Sequence, residues 1–349
     1  SSMRLTSEIE KSQSVTSTSI RDCWTERDCV EMVIVGSIGF DDIDTPEASG
    51  SDLLGGAATH AGIASGFHLP PTPRKPPRIG LVSAVGTDFP EEAQEILEDT
   101  GLNLAGVVRR DGRTFRWAGR YEGSMEEVQT ISTEVNVLED FRPEVPLSWR
   151  TPGILFCANT HPRTQVSVLD QCPGAAVTAL DTFMLWIDTE FELLSEALRK
   201  VDMAILNEEE VCALAGEEVL HRAVEAIRSG AALYGGKEAG PGPRSMVIKR
   251  GGSGSVAYLP CGTITLPAFP TDDLVDPTGA GDSFAGALLA NIIGRKGALN
   301  QTETMRNALV HATVTASFTI EGLGASALYG LERGRYHARA DKYRRMVGL

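Results

Sequence analysis

Short β-branched and apolar runs alternate with helical patterns along most of this chain, and that alternation restricts its fold more than any other feature. From residue 151 onward the order reads strand 153–158, helix 163–170, strand 175–180, helix 190–200, strand 201–206 and helix 208–215. Ahead of it lie a strand over 32–38, a polar loop carrying Asp41, Asp42 and Asp44, a helix of small residues over 57–67 and a strand at 79–85. A helix at 90–100 opens on Pro90 and closes at Gly101. Beyond a Gly/Pro-rich loop at 235–243 come strands near 245–250, 254–259 and 262–267, then helices near 282–293, 303–318 and 332–346. The stretch from Leu69 to Arg78 holds five prolines and reads as a surface connection. Such an order predicts an α/β fold: a doubly wound, mostly parallel sheet with its ligand crevice at the carboxyl ends of the strands.

The densest chemical signal is Asp276-Pro277-Thr278-Gly279-Ala280-Gly281-Asp282, running straight into the apolar helical stretch Ser283 to Ala290. Small residues let the backbone present bare N–H groups at a helix start, where partial positive charge favours an anion. Asp282 supplies a carboxylate beside that site. One Asp there is ordinarily an N-cap and one Gly an ordinary turn. The whole run, in this order, points to phosphoryl transfer: Gly279, Ala280 and Gly281 donate N–H groups to phosphate oxygens while Asp282 takes a proton from an attacking hydroxyl.

These residues resemble the C-terminal signature D-T-x-G-A-G-D of the ribokinase (PfkB) carbohydrate kinase family. The likeness extends along the chain in family order, over about residues 32 to 346. Gly55-Gly56-Ala57-Ala58-Thr59-His60-Ala61 resembles G-G-x-x-x-N-x-A. Val85-Gly86-Thr87-Asp88, followed by Leu97 to Leu102, is similar to the family's V-G-x-D and L-x-x-x-G-V stretch. Asn207-Glu208-Glu209-Glu210 matches N-x-x-E, and Lys249 to Gly254 resembles T-x-G-x-x-G. The resemblance implies a ribokinase-like kinase domain over 30–346 that phosphorylates a hydroxyl of a sugar or polyol with ATP and Mg²⁺. It also implies a small β-sheet lid, with elements at about 39–54 and 105–135, that covers the sugar and can pair two copies as a homodimer.

The resemblance further assigns roles. Asp41 would hold sugar hydroxyls, with Gly55 and Gly56 bringing backbone N–H groups close. His60 stands where the family has Asn and Gly39 stands at a second Asn position, departures that argue against ribose itself as acceptor. Asn207 and Glu210 form a capping box by spacing alone; the resemblance adds phosphate contact for Asn207 and water-mediated Mg²⁺ for Glu210. Gly251, Gly254 and Lys249, the last in place of a common Thr, fall on the nucleotide loop, and His311 aligns with a residue near adenine. Asp276 and Ser326 fall where a monovalent cation, K⁺, could bind. Within Thr114 to Tyr121, strand alternation puts Phe115, Trp117 and Tyr121 on one face and Arg116 and Arg120 on the other. An inward Arg116 would bind an anionic substrate; inward aromatics would favour a neutral sugar or a nucleoside.

Composition narrows the alternatives. With 47 acidic against 32 basic residues and a net charge of −15, the chain lacks the basic face that nucleic acid or an anionic membrane requires. Its six cysteines are scattered without C-x-x-C spacing, which fits free thiols in a reducing cytoplasm. No Walker A, H-E-x-x-H, H-R-D or D-F-G pattern occurs, nor a G-x-G-x-x-G after the first strand. Ser1-Ser2 ahead of Met3 reads as a tag remnant, and residues 1–29 as a flexible, Ser/Thr-rich leader. A nucleoside or inositol kinase on the same scaffold, or a non-catalytic relative serving as a regulatory protein, are the rival readings.

Overall fold

The computed structural model describes residues 29–72 and 77–349. The expected leader lies outside the described residues except for Cys29, as do residues 73–76 of the proline-rich connection. The strands are β1 (Met32–Val35), β2 (Gly39–Asp44), β3 (Ser49–Gly55), β4 (Ile79–Gly86), β5 (Leu102–Arg110), β6 (Phe115–Tyr121) and β7 (Val128–Glu134), then β8 (Ile154–Cys157), β9 (Val177–Leu180), β10 (Met203–Asn207), β11 (Ser245–Lys249), β12 (Ser255–Leu259) and β13 (Gly262–Leu266). Nine of them form one sheet in the order β13-β12-β11-β10-β9-β8-β1-β4-β5. Its pairs are parallel from β11 to β5, and β12 and β13 add an antiparallel edge.

Wholly apolar runs such as Met32–Val35 and Ile154–Cys157 are buried on both faces, as central parallel strands require. Alternation along β1 sends Met32 and Ile34 into one core and Val33 and Val35 into the other. The first core is completed by the helices Ala57–His68, Glu91–Asp99, Ala280–Ala290, Thr302–Thr319 and Arg333–Met346. Helices Pro162–Gln171, Phe191–Lys200, Glu208–Ala215 and Leu220–Arg228 cover the opposite face. From β1 the chain builds outward to β4 and β5, then returns to β8 on the other flank and proceeds to β11. The reversal between β1 and β8 opens the crevice at the strands' carboxyl ends.

A second sheet, β3-β2-β6-β7, lies apart from the first. Strands β2 and β6 run parallel, with β3 and β7 antiparallel outside them. Two expectations change here. The polar segment Asp41 to Asp44 is not a loop but part of β2, whose backbone is satisfied by pairing to β3 and β6 despite its carboxylates. Residues 105–110, expected in the lid, belong to β5 at the edge of the main sheet. Short helices at Met184–Thr189 and Leu220–Arg228 also escaped the sequence pattern.

One helix contact sets the geometry that follows. Ala57–His68 and Ala280–Ala290 are built of small residues, and they approach so closely that a Cβ on Gly286 would collide with the backbone of Ala61. The Ser65 hydroxyl donates to the Gly286 carbonyl at 3.0 Å across the same contact.

Candidate active site

Three neighbouring strands end in polar groups that meet. Asp181 follows β9 directly, Asn207 closes β10, and Lys249 closes β11, paired in register with Asn207. Asp181 is 3% exposed and its Oδ2 accepts from Lys249 Nζ at 2.6 Å. The buried Gln165 amide fixes that strand end by donating to the Asp181 carbonyl at 2.8 Å and to that of Ala158 at 3.1 Å. The Asn207 side chain accepts from the Glu210 N–H at 2.7 Å, and Glu210 Oε2 accepts from the Asn207 N–H at 2.9 Å. The capping box is therefore complete, and it leaves the other Glu210 oxygen free of that task. Burial, then the Asp181 carboxylate, push the Glu210 carboxyl up to about 8. Burial alone would lower the Lys249 ammonium, yet Asp181, Glu210 and Asp282 hold it above its ordinary value.

The helix Ala280–Ala290 begins above this row. Gly279 adopts the left-handed region at φ 75° and precedes the first turn. A Cβ on Gly279 would overlap the His60 imidazole, so only glycine lets the turn lie against that ring. The Ala280 N–H, expected to face an anion, is turned instead to the Pro277 carbonyl at 3.2 Å, closing the turn. The N–H groups of Gly279, Gly281 and Asp282 have no acceptor among the described residues. Asp282 stands in the first helical turn, and Lys249 Nζ lies beside Gly281. Desolvation, then Asp181, raise the Asp282 carboxyl to about 7, opposed by His60 and Lys249.

His60 and Asp41 complete the group from the lid side. Both are buried, with His60 Nε2 4.0 Å from Asp41 Oδ2, an ion-pair separation too long for a hydrogen bond. Neither ring nitrogen of His60 has a hydrogen-bond partner. Burial would depress the imidazole, but Asp41, Asp282 and Asp276 hold it above its ordinary value. Burial raises the Asp41 carboxyl, with His60 opposing. Gly55 makes room for that carboxylate, which a Cβ would strike, and Gly56 enters the next helix at φ 94°.

Other candidates have different surroundings. Arg116, expected at the substrate, is turned to Asp52 and sits over the Phe40 ring at 5.4 Å. Arg120 likewise pairs with Asp44 at 3.0 Å. These are the lid face opposite to Asp41, whose register partner is Trp117. His311 joins a helix-packing cluster: its Nδ1 meets Tyr336 Oη at 2.6 Å and its ring lies 5.5 Å from His68. Burial, then Arg344, lower it to about 4. Asp276 commits one carboxylate oxygen to the Thr278 N–H at 2.8 Å and the other to the Gly324 N–H at 2.9 Å. The Ser326 hydroxyl is exposed and donates to the Leu323 carbonyl at 2.7 Å. Gly251 and Gly254, at φ 52° and 89°, shape the turn after β11. Among the described residues no group of three or more His, Cys, Asp or Glu side chains could hold a metal ion by itself. Sequence reading missed Asp181; its one signal was an acidic residue directly after a buried strand, at the end of the sheet where ligands bind.

A doubly wound sheet whose strand ends carry a lysine and carboxylates beneath an open helix start, covered by a small second sheet, is an arrangement suited to phosphoryl transfer. The pfkB family carbohydrate kinase model matches residues 55–329, and the chain belongs to that family. Its class of activity is accordingly the ATP-dependent phosphorylation of a hydroxyl on a sugar or sugar-like small molecule. A cytidine kinase of Thermococcus kodakarensis is 28% identical over 269 residues, covering 75% of this chain and 88% of that protein. Ribokinase from Giardia lamblia superposes with a TM-score of 0.71 at 19% identity, over 90% of this chain and 99% of the other. A fructokinase double mutant from Vibrio cholerae, with fructose, ADP and potassium ion bound, gives a TM-score of 0.71 at 17% identity over the same shares.

Proposed function

We propose that this kinase phosphorylates a neutral, ring-bearing acceptor, a sugar or a nucleoside, with Asp282 as the general base. The observation that carries the mechanism is Asp282 in the first turn of a helix whose leading N–H groups are open, beside a lysine pinned by Asp181. The acceptor hydroxyl loses its proton to Asp282 as it attacks. The N–H groups of Gly279 and Gly281 receive charge on the transferring phosphoryl group, and Lys249 balances it from below. Asn207, Gly251 and Gly254 line the nucleotide side.

The donor set suits Mg²⁺ that is held chiefly by phosphates and water, with Glu210 as an outer carboxylate. Bound there, Mg²⁺ would neutralise phosphate charge. A monovalent cation near Asp276 and Ser326 belongs to the same reading; potassium accompanies ADP in the fructokinase relative.

Asp41 and His60 would hold acceptor hydroxyls. The neutral-acceptor choice rests on the lid, whose arginines are spent on Asp52 and Asp44 while Trp117 shares the face of Asp41. The cytidine kinase relative makes a nucleoside the first compound to test. We assign the protein to the cytoplasm, and its homodimer contact to the lid edge β7, all seven residues of which are exposed. No described helix is long and apolar enough to cross a membrane.

ADP formation by the purified protein with nucleosides, sugars, polyols and sugar acids tests the reading. Turnover of a neutral ring compound, lost by roughly two to four decades in Asp282→Asn, is expected. Near-normal turnover in a folded Asp282→Asn protein would remove Asp282 from the mechanism. Turnover confined to sugar acids would remove the neutral acceptor.

A further inference from the structure

The anion turn is held from two sides. On the core side, the Val275 and Asp276 N–H groups donate to the Ile320 carbonyl at 2.8 and 3.2 Å, and Asp276 accepts from Gly324. On the lid side, Thr45, just past β2, donates its hydroxyl to the Val275 carbonyl at 2.8 Å. Tyr121, the last residue of β6, brings its Oη to 3.0 Å from Thr278 Oγ1. Tyr121 is 8% exposed and packs with Ile43 and Met125, with Leu274 and Leu323 from the turn's own side against them. Lid and turn thus share a small apolar core bridged by two hydrogen bonds.

Thr278 is the residue immediately before Gly279, whose N–H opens the anion site. The chain also departs from the D-T-x-G-A-G-D pattern at this point. Pro277 occupies the threonine position, and the hydroxyl stands one residue later, where it meets Tyr121. Pro277 has no N–H to donate and a fixed φ, so it cannot tie the turn to the lid by itself. A buried phenol with no partner would be costly to keep, and the Thr278 hydroxyl is the partner it meets, with either oxygen able to donate.

We propose that Tyr121 is a positioning residue: through Thr278 it holds the Gly279 turn in its phosphate-receiving geometry, so that lid placement and anion-site geometry are one event. The inference rests on the kinase reading above. It predicts that a lid ordered over its acceptor also orders the N–H groups that receive the transferring phosphoryl group.

Tyr121→Phe keeps the ring and its packing while deleting the hydroxyl. On the turned-over acceptor, kcat is expected to fall about three- to tenfold, the reach of one net hydrogen bond, with KM for ATP and Tm little changed. Thr278→Val should match that loss, Thr278→Ser should restore it, and the Tyr121→Phe/Thr278→Val pair should lose no more than either single variant. Amide hydrogen exchange over residues 276–284 of the resting protein should quicken in Tyr121→Phe, while the helix 302–319 stays unchanged. Wild-type kcat in Tyr121→Phe, losses that multiply in the pair, or unchanged exchange over 276–284 would each overturn the proposal. The exchange measurement needs no acceptor, so absence of kinase activity would overturn the functional reading without deciding this one.

Discussion

In the proposed mechanism Asp282 is a base that acts only when ionised, and its carboxyl is pushed up to about 7 by burial and by Asp181. Turnover should therefore fall about tenfold per pH unit well below that value. His60 opposes the rise, so His60→Asn, which removes its positive charge, should move the acid limb to higher pH. Asp181→Asn removes a neighbouring negative charge and releases Lys249 from its ion pair with that carboxylate, so its acid limb should move lower. A pH profile of kcat for the two variants checks both signs; shifts in the same direction would refute the electrostatic account. Glu210 separates its two roles under one substitution. Gln serves at the same capping position, so Glu210→Gln should keep the helix intact and raise the Mg²⁺ concentration for half-maximal turnover. An unchanged Mg²⁺ requirement would leave Glu210 only the cap seen at Asn207.

At the scale of elements, the close contact between Ala57–His68 and Ala280–Ala290 brings His60 against Gly279. Gly286→Val would have to push the helices apart, and overpacking of this kind costs about 1–3 kcal/mol. Denaturant unfolding should register that loss, and kcat should fall with it because Gly279 and His60 separate together. A variant that keeps both its stability and its activity would refute this account of the contact. The elements also divide what the sequence could express. The Gly279 turn, the Asn207 capping box and the main helices are contiguous in sequence, so local pattern found them. Strand β2 was hidden because its carboxylates mimic a loop and one of its two partners, β6, lies about 76 residues away. Asp181 acquires meaning only from register, when β9, β10 and β11 end side by side. His311 kept the right spacing, but Tyr336 and Arg344, remote in sequence, set its surroundings.

Across the whole molecule, the arginines of β6 are a test of what the lid faces. Arg120–Asp44 is solvent-exposed on both sides, and such pairs contribute at most about 1 kcal/mol. Arg116→Ala with Arg120→Ala should thus lower kcat/KM slightly, and equally on a neutral sugar and on a sugar acid. A loss confined to the acid would mean that a guanidinium clamps a carboxylate after all.

The lid comes from two separate stretches, residues 39–55 and 115–134, each looping out between strands of the main sheet and returning to it. The residues proposed to handle phosphate sit on the strand ends and the turn at 276–282, whereas Asp41 and Trp117, proposed to face the acceptor, ride on the lid. In the proposed mechanism, choice of acceptor and transfer of the phosphoryl group are thus written largely on different parts of the chain. Drift at lid positions other than Thr45 and Tyr121, which tie the lid to the turn, can retune the first without disturbing the register of the nine-stranded sheet beneath the second, so one catalytic engine can be inherited while its clientele changes.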